Sequence, residues 1–402
     1  MSNTAEPERT RWAAVAILVA VGIAAAMQFS KISAVFLPVA EAYDASDTAA
    51  ALFMSAPAVV GMVFGVTASV FAARLGFRRV IVGCLALGAG ISLLQALILP
   101  LPVFLALRVV EGAAHLGLVI ACPVLIIQLS APRQVALTMS VWGAFFGLGF
   151  AFAGWLAPIL EAGGGIARVF LAHGILLAAL LAIVLTLLPR VDGDGPQAAA
   201  PSEGFFRAHL TSYRNPRAVL PGVVFVFHTA MYVSLITFVP LFADPAAAAG
   251  LLIWMPLVSI LGTIVAGLIG QYVATAPVVL LIGYAGVAAL NAVVWALLRG
   301  ETSIFVAPLV MMFCSGLIQG GTFSLIPALS TDPAVTARAN GVLTQLGNVG
   351  STVGPPLFAT VIAGTTAADF APIVWLVIVL CAAGAVVSAI ALRITGVRPV
   401  RA

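Results

Sequence analysis

Six ionisable side chains lie inside long apolar stretches of the sequence, where a charge is costly. They are Lys31, Arg108, Glu111, His115, His173 and His228. A charge near the centre of a bilayer costs at least about 2.5–3.5 kcal/mol, so these residues are expected to face protein or water rather than lipid. Cations in such a place can hold an anion through charge-assisted hydrogen bonds. A carboxylate or an imidazole there can carry a proton.

Three of these residues share one helix face. Arg108, Glu111 and His115 are spaced i, i+3 and i+7, which aligns them along one side of a helix. Lys31, the only lysine of the chain, lies about nine residues before the end of its apolar stretch, and Glu111 lies about nine residues into its own. At about 1.5 Å per residue, both are roughly 13 Å deep. We therefore expect them at the same level of a membrane.

The composition restricts the elements that can position these groups. The chain has 402 residues, of which 62% are hydrophobic and 8% charged, against about 25% charged in an average soluble domain. This excludes a soluble enzyme, a disordered chain and a nucleic-acid-binding protein. The apolar stretches are roughly 20 to 28 residues long without alternation, which is typical of helices that span a bilayer and not of barrel strands. The sequence predicts an all-α integral membrane protein.

Twelve spans are predicted, six on each side of one polar segment. The first six are 12–40, 48–73, 79–99, 102–130, 135–161 and 168–188. The second six are 218–242, 246–271, 276–297, 303–329, 340–363 and 371–393. The domains are then an N-terminal half (1–188), a linker (189–217) and a C-terminal half (218–402). Within the linker, 205–213 is expected to form an amphipathic helix on the membrane surface.

Two further patterns concern the whole chain. Gly149 and Gly350 are 201 residues apart, and two short segments that end in proline recur at offsets of 201 and 202, as in transporters built from two parallel halves. Fourteen arginines fall on the side of the termini and the linker, and only Arg168 and Arg299 on the other. This bias predicts that both termini are cytoplasmic in a multi-pass protein of the inner (plasma) membrane.

With these features the chain resembles the major facilitator superfamily over nearly its whole length. The segment 69–79 is similar to the family's motif A, a loop that latches neighbouring helices in one state. Its matching positions are Arg74, Gly76, Arg78 and Arg79. Ala73 stands where the family has an acidic residue. The segment 105–112 is similar to motif B, with Arg108 as the intramembrane arginine and Glu111 where glutamine is commoner.

Glycine-rich segments at 143–158 and 347–356 are similar to the family's motif C, although the first lacks its Gly-Pro pair. The alternative interpretation of both segments is close helix packing by small residues.

The resemblance implies that spans one, four, seven and ten line a central cavity, so that Lys31 and Glu111 meet across it. One carboxylate neutralises only one of two cations, so the cavity keeps about one positive charge. We expect Lys31 and Arg108 to bind a small anion, with Glu111 holding one cation until substrate or a proton arrives. The alternative is an ion pair that only locks helices together.

The remaining predicted site residues are neutral or titratable groups within the spans. The predicted substrate contacts are Gln28, His115, Trp142, His228, Tyr232, Trp254, Gln319 and Asn348. Glu111, His115 and His228 are the predicted proton carriers. His173 is interpreted as a packing residue, and packing is also the alternative for Trp142 and Trp254.

The sequence contains no phosphate-binding GxxxxGK[ST] motif and no catalytic or metal-ligand constellation. No cofactor, metal site or enzymatic activity is expected, and a substrate or proton gradient must supply the energy. The prediction is a secondary transporter that takes up a small, monocarboxylate-like anion by alternating access, with a proton as candidate co-substrate. One chain suffices. The alternatives are a proton-coupled exporter of drug-like molecules or metabolites, and a non-transporting membrane receptor.

Overall fold

The structure is a computed structural model that describes residues 9–189, 204–330 and 332–395. These residues are almost entirely helical, and they contain no strand. Their contacts divide the chain into two compact units. Unit 1 comprises Met1–Tyr43 and Thr67–Phe205, and unit 2 comprises Asp44–Val66 and Phe206–Ala402. The predicted division into halves at residues 188 and 218 stays a prediction, and most of the linker, 190–203, lies outside the described residues.

The helices of both units are named in chain order. They are α1 (Trp12–Ser33), α2 (Phe36–Ala42), α3 (Asp47–Ser55), α4 (Ala58–Phe64), α5 (Ala68–Leu75), α6 (Phe77–Gln95), α7 (Leu101–Gln128), α8 (Val135–Gly143), α9 (Phe145–Leu187), α10 (Phe205–Tyr213), α11 (Pro216–Phe238), α12 (Pro245–Tyr272), α13 (Ala276–Arg299), α14 (Val306–Leu329), α15 (Pro333–Ala359) and α16 (Ala367–Thr395). Helices α3 and α4 belong to unit 2, together with the helices from α10 onwards.

Nine helical segments of the described residues are long and apolar enough to cross a membrane. One of them, Leu137–Leu187, corresponds to the fifth and sixth predicted spans, which separate at Gly164 and Gly165 where the backbone leaves the helical conformation. The second predicted span corresponds to α3–α5 and the eleventh to α15. The predicted fold class, an all-α membrane protein with twelve spans, is confirmed.

The second predicted span is not one continuous helix. Pro57 lies between α3 and α4, where its missing N–H and its ring disfavour an uninterrupted helix. A second break at Gly65–Thr67 separates α4 from α5. Helix α5 ends at Gly76, whose φ of 89° is in the region that favours glycine. The span is therefore divided into short helices with two internal breaks.

Equivalent glycines make equivalent close contacts in the two units. In unit 1, a Cβ at Gly149 of α9 would lie 2.5 Å from Ala26 Cβ of α1. In unit 2, a Cβ at Gly350 of α15 would overlap Val226 and Thr229 of α11. The repeat at an offset of 201 residues therefore corresponds to the same kind of contact, in which span five packs on span one and span eleven on span seven.

The core of unit 1 surrounds the polar residues of α1. It is built from aliphatic side chains of four helices, with Leu18, Leu85, Leu118 and Leu177 all fully buried. Because α1 is buried on most of its faces, polar side chains in its C-terminal half lie against α6, α7 and α9.

Candidate functional site

Three charged side chains form a buried cluster in unit 1. Lys31 is 1% exposed, and Arg108 and Glu111 are 0% exposed. Lys31 Nζ lies 2.7 Å from Glu111 Oε1, and Arg108 Nη1 donates to Glu111 Oε2. The structure thus brings together the three charged residues that the sequence places at one level. They lie inside the packed helices of unit 1 and are closed to solvent.

Every proton of the Lys31 ammonium has an acceptor. Besides Glu111, its Nζ lies 3.0 Å from Ser92 Oγ and Gln95 Oε1 and 3.1 Å from His173 Nδ1. Four acceptors therefore share three protons. Its charge also lies 5.2 Å from the centre of the Phe170 ring, within range of a cation–π interaction.

The hydrogen bonds determine which nitrogen of each histidine carries the proton. His173 Nε2 lies 3.0 Å from the carbonyl oxygen of Ala24, and a carbonyl only accepts, so Nε2 donates. His173 Nδ1 is then free to accept from Lys31, which requires a neutral ring. His115 likewise donates from Nδ1 to the carbonyl of Ala25 at 2.9 Å.

With neutral histidines, the cluster carries two positive charges and one negative charge. The carboxylate of Glu111 also accepts from Gln95 Nε2 at 2.8 Å, so both of its oxygens are used. Desolvating a lone charge is expensive, and among the described ion pairs the buried cations outnumber the carboxylate by one.

Sequence reasoning missed Ser92 and Gln95, and it interpreted His173 as a packing residue, whereas the structure places all three in the network. Ser92 and Gln95 are i and i+3 on α6, so their shared helix face was the available signal. Small polar residues in membrane helices also serve simple packing, which makes this signal weak.

Gln28, a predicted substrate contact, lies one turn before Lys31 on α1 and is fully buried. Neither its amide oxygen nor its amide nitrogen has a hydrogen-bond partner in the described part of the chain. Its Nε2 approaches Gly88 of α6 so closely that a Cβ there would lie 3.0 Å away. A buried amide with both functions unmet is unusual and calls for a water or ligand partner.

Unit 2 holds a separate group of neutral polar residues. The rings of His228 and Tyr232 are 5.5 Å apart on α11. His228 Nδ1 lies 3.3 Å from Ser315 Oγ, and Gln319 of α14 is a neighbour of its ring. Tyr232 shares a 2.9 Å hydrogen bond with Ser259. The structure therefore brings together three predicted residues, His228, Tyr232 and Gln319.

Three other predicted site residues lie elsewhere. Trp142 is packed in the core of unit 1, where it stacks on Phe145 at 4.5 Å. Trp254 is 51% exposed on unit 2. Asn348 packs against Gly61 of α4 within unit 2. In this structure, none of the three belongs to the two polar groups just described.

The predicted conformational loop is anchored through one arginine. Arg78 Nη2 donates to the carbonyls of Val184 and Leu185 at 3.2 and 3.3 Å, at the end of α9 where helix carbonyls lack intrahelical donors. Arg74 and Arg79 are exposed. The loop is therefore tied to the last turn of α9 in unit 1.

A cleft of about 460 Å³ in unit 2 is lined by residues such as Arg217, Ser330 and Asp332. None of the predicted substrate contacts lines it. Among the described residues, no group of three or more His, Cys, Asp and Glu side chains is arranged to hold a metal ion.

Comparisons with known proteins give the family. Residues 18–355 match the family model of the Major Facilitator Superfamily. The fold is similar to that of a bacterial homologue of the human lysosomal transporter Spinster, solved in an inward-facing and occupied conformation. The TM-score is 0.76 and the sequence identity 15%, and the match covers 96% of this chain and 97% of that one. It is also similar to a point mutant of the nucleoside transporter NupG, with a TM-score of 0.66, 16% identity, and coverage of 94% and 100%.

A search of curated protein sequences finds no match. The two structural neighbours share too little sequence to indicate more than the fold. The family match, the helical fold and the spans together confirm the resemblance noted in the sequence. The chain belongs to the Major Facilitator Superfamily and is a multi-pass membrane transporter rather than an enzyme.

Proposed function

We propose that the protein is a secondary active transporter that takes up a small organic anion together with a proton, by alternating access. The observation that carries the proposal is the buried cluster in which Lys31 and Arg108 share the single carboxylate of Glu111. In the described ion pairs of this site the cations outnumber the carboxylate by one. This favours a monoanion, and a carboxylate matches the donors of both cations.

The closed network supports coupling to a proton. Because all protons of Lys31 are already accepted, an incoming carboxylate has to replace one of its four acceptors, and Glu111 is the acceptor of the same chemical kind. Protonation of Glu111 would release Lys31 for the substrate. The anion and the proton enter together, so the net charge of the cluster is the same before and after.

Gln28 is the neutral group best placed to contact the bound anion. It lies one turn from Lys31 and is buried without a partner in the described part of the chain, so its amide can accept from and donate to a ligand without losing another hydrogen bond. In unit 2, His228, Tyr232 and Gln319 are proposed as further substrate contacts, and His115 and His228 as further proton carriers.

The first test is a thermal-shift screen of purified protein with small carboxylates and other monoanions. Ligand that binds the folded state raises the unfolding temperature. We expect a few carboxylates to stabilise the wild type and to lose this effect in Lys31→Gln. The matched control is Arg133→Gln, which removes one exposed cation and should keep the effect. A Lys31→Gln protein that keeps the same ligands would contradict the role of Lys31.

The second test is uptake of the stabilising anion into proteoliposomes. Co-transport of a monoanion with one proton moves no net charge, so an inwardly directed proton gradient should drive accumulation and a potassium diffusion potential should not. Uptake driven by the potential alone would contradict proton coupling. Accumulation driven in the opposite direction would favour the exporter, and binding without any transport would favour a receptor.

A further inference from the structure

Gln345 of α15 uses its whole amide group to join three helices of unit 2. Its Nε2 donates to the carbonyl of Met62 at 2.8 Å, at the end of α4. Its Oε1 accepts from the hydroxyl of Tyr213 at 3.0 Å, on α10. Its Nε2 also lies 3.2 Å from His209 Nε2, again on α10. The Gln345 side chain is 8% exposed, so its amide is largely removed from water.

The Met62 carbonyl needs such a partner because the second span breaks there. Helix α4 ends at Phe64, and the last carbonyls of a helix have no intrahelical donor. The carbonyl of Val63 also belongs to this last turn, and it lies 3.4 Å from Gln345 Nε2. Gln345 therefore acts as a side-chain cap for the end of α4.

The bonds fix the amide orientation and the roles of the α10 groups. Met62 offers only an acceptor, so nitrogen must face it and oxygen must face Tyr213. The second N–H of Gln345 then donates to His209, whose Nε2 must be unprotonated to accept it. The Tyr213 hydroxyl is the donor, since a phenol is protonated at neutral pH and burial raises the pKa of Tyr213 further.

The contact around Gln345 is close over two turns of α15. A Cβ at Gly65 would lie 2.6 Å from Gln345 Cα. Asn348, three residues further on, packs against Gly61, and Gly341 faces Val66. Residues 61–66 therefore lie along α15 with glycines at the points of contact, so the polar bond of Gln345 holds a well-fitted surface.

The segment that contacts Gln345 lies in the chain between two parts of the other unit. Residues 44–66 pack in unit 2, while the chain on both sides of them belongs to unit 1. In a transporter that works by movement of one part against another, such a segment must bend at its ends or leave the unit on which it packs. The break at Gly65–Thr67 coincides with one of these crossings.

We propose that Gln345 is a latch through which helix α10 controls the release of residues 58–66 from α15. While Tyr213 and His209 hold the amide, its donor stays aimed at Met62; when α10 leaves, the amide is free to rotate and the cap on α4 weakens. The proposal rests on the proposed transport function in one respect, because release of this segment is taken as a step of the transport cycle.

Hydrogen exchange of the intact protein in lipid nanodiscs tests the latch, because exchange rates report local opening. The loss of one hydrogen bond in Tyr213→Phe should speed exchange in α10 and also in residues 58–66, by about three- to tenfold. Gln345→Leu should do the same in both segments. The matched control is Thr344→Val, whose hydroxyl bonds the Asn340 carbonyl of its own helix, and it should leave both segments unchanged.

The decisive comparison is the double variant. Tyr213→Phe should speed exchange in residues 58–66 in the wild-type background and should add nothing in Gln345→Leu. Faster exchange confined to α10, or equal effects in both backgrounds, would overturn the latch. If Gln345→Leu does not fold, Tyr213→Phe alone still decides, since it removes a single oxygen from a side chain that is 40% exposed. Hydrogen exchange is measured without a transported solute, so this test of the latch can succeed or fail whether or not a transported anion is found.

Discussion

Lys31 is buried only because three neighbouring helices supply acceptors for its protons. Ser92 and Gln95 come from α6, Glu111 from α7 and His173 from α9. An ammonium without such partners would cost several kcal/mol in this environment. The residue therefore connects the packing of unit 1 to its charge, and changes to each partner should have distinct effects.

Glu111→Gln should be more destabilising than Lys31→Met. Without the carboxylate, Lys31 and Arg108 are left as two buried cations, and breaking such a pair costs about 3–5 kcal/mol. Without Lys31, Arg108 and Glu111 remain a neutral pair, so the loss should be smaller. Unfolding temperatures in one detergent, followed by tryptophan fluorescence, give the order. Equal unfolding temperatures would mean that the cluster does not carry the charges assigned to it.

The residues of this cluster differ in how well the sequence predicts them. The spacing of Arg108 and Glu111 on one helix predicts their shared face directly. Their depth puts them at the level of Lys31, and the resemblance to the family, in which spans one and four are neighbours in the cavity, implies the contact with it. His173, Ser92 and Gln95 could not be assigned in the same way, because their roles depend on the rotation of α6 and α9 about their axes. When a helix is apolar on all faces, its hydropathy is nearly the same on every side. Hydropathy therefore says little about how α6 and α9 are rotated about their axes.

At the scale of elements, glycines set the distance between neighbouring helices. Gly149 and Gly350 occupy equivalent places of the repeat, and each allows a helix backbone to approach where a side chain would collide. Lipid gives little hydrophobic drive for helices to associate, so close packing through small residues is a main source of stability.

Alanine at either glycine should therefore lower stability, whereas alanine at an open glycine should not. Gly350→Ala places a methyl group against backbone atoms of α11 that cannot move independently, and overpacking of this kind costs about 1–3 kcal/mol. Gly149→Ala should behave similarly in unit 1. The control is Gly267→Ala in α12, where nothing lies within 4 Å of the added atom. Thermal unfolding of the three variants checks this, and a Gly350→Ala protein as stable as the control would contradict it.

The sequence predicts the existence of the spans better than their continuity. Asp244 accepts a hydrogen bond from Ala247 N at 2.9 Å as the N-cap of α12, which explains why the six residues 239–244 suffice to connect α11 to α12. The α10 helix at 205–213 also has the predicted bounds. The breaks in span two were missed because a window of mean hydropathy averages over Pro57 and Gly65.

For the whole molecule, the sidedness of arginine gives an orientation that can be measured. If the termini are cytoplasmic, the loop between α11 and α12 is external, and the loop between α7 and α8 is internal. A membrane-impermeant maleimide should label Ala246→Cys in intact cells. It should label Arg133→Cys only after the cells are permeabilised. Both positions are exposed, so a reversed pattern would reverse the assigned orientation and the direction of the proposed transport.

The enclosure of Lys31 has a practical consequence for chemistry on this protein. No other lysine occurs in the sequence, and this one is 1% exposed, so the closed protein offers an amine-reactive dye no accessible side chain. Dye incorporated at Lys31 would record that unit 1 had opened while the reagent was present. Because Lys31 is buried, the rate at which its amine is acylated measures how often unit 1 opens.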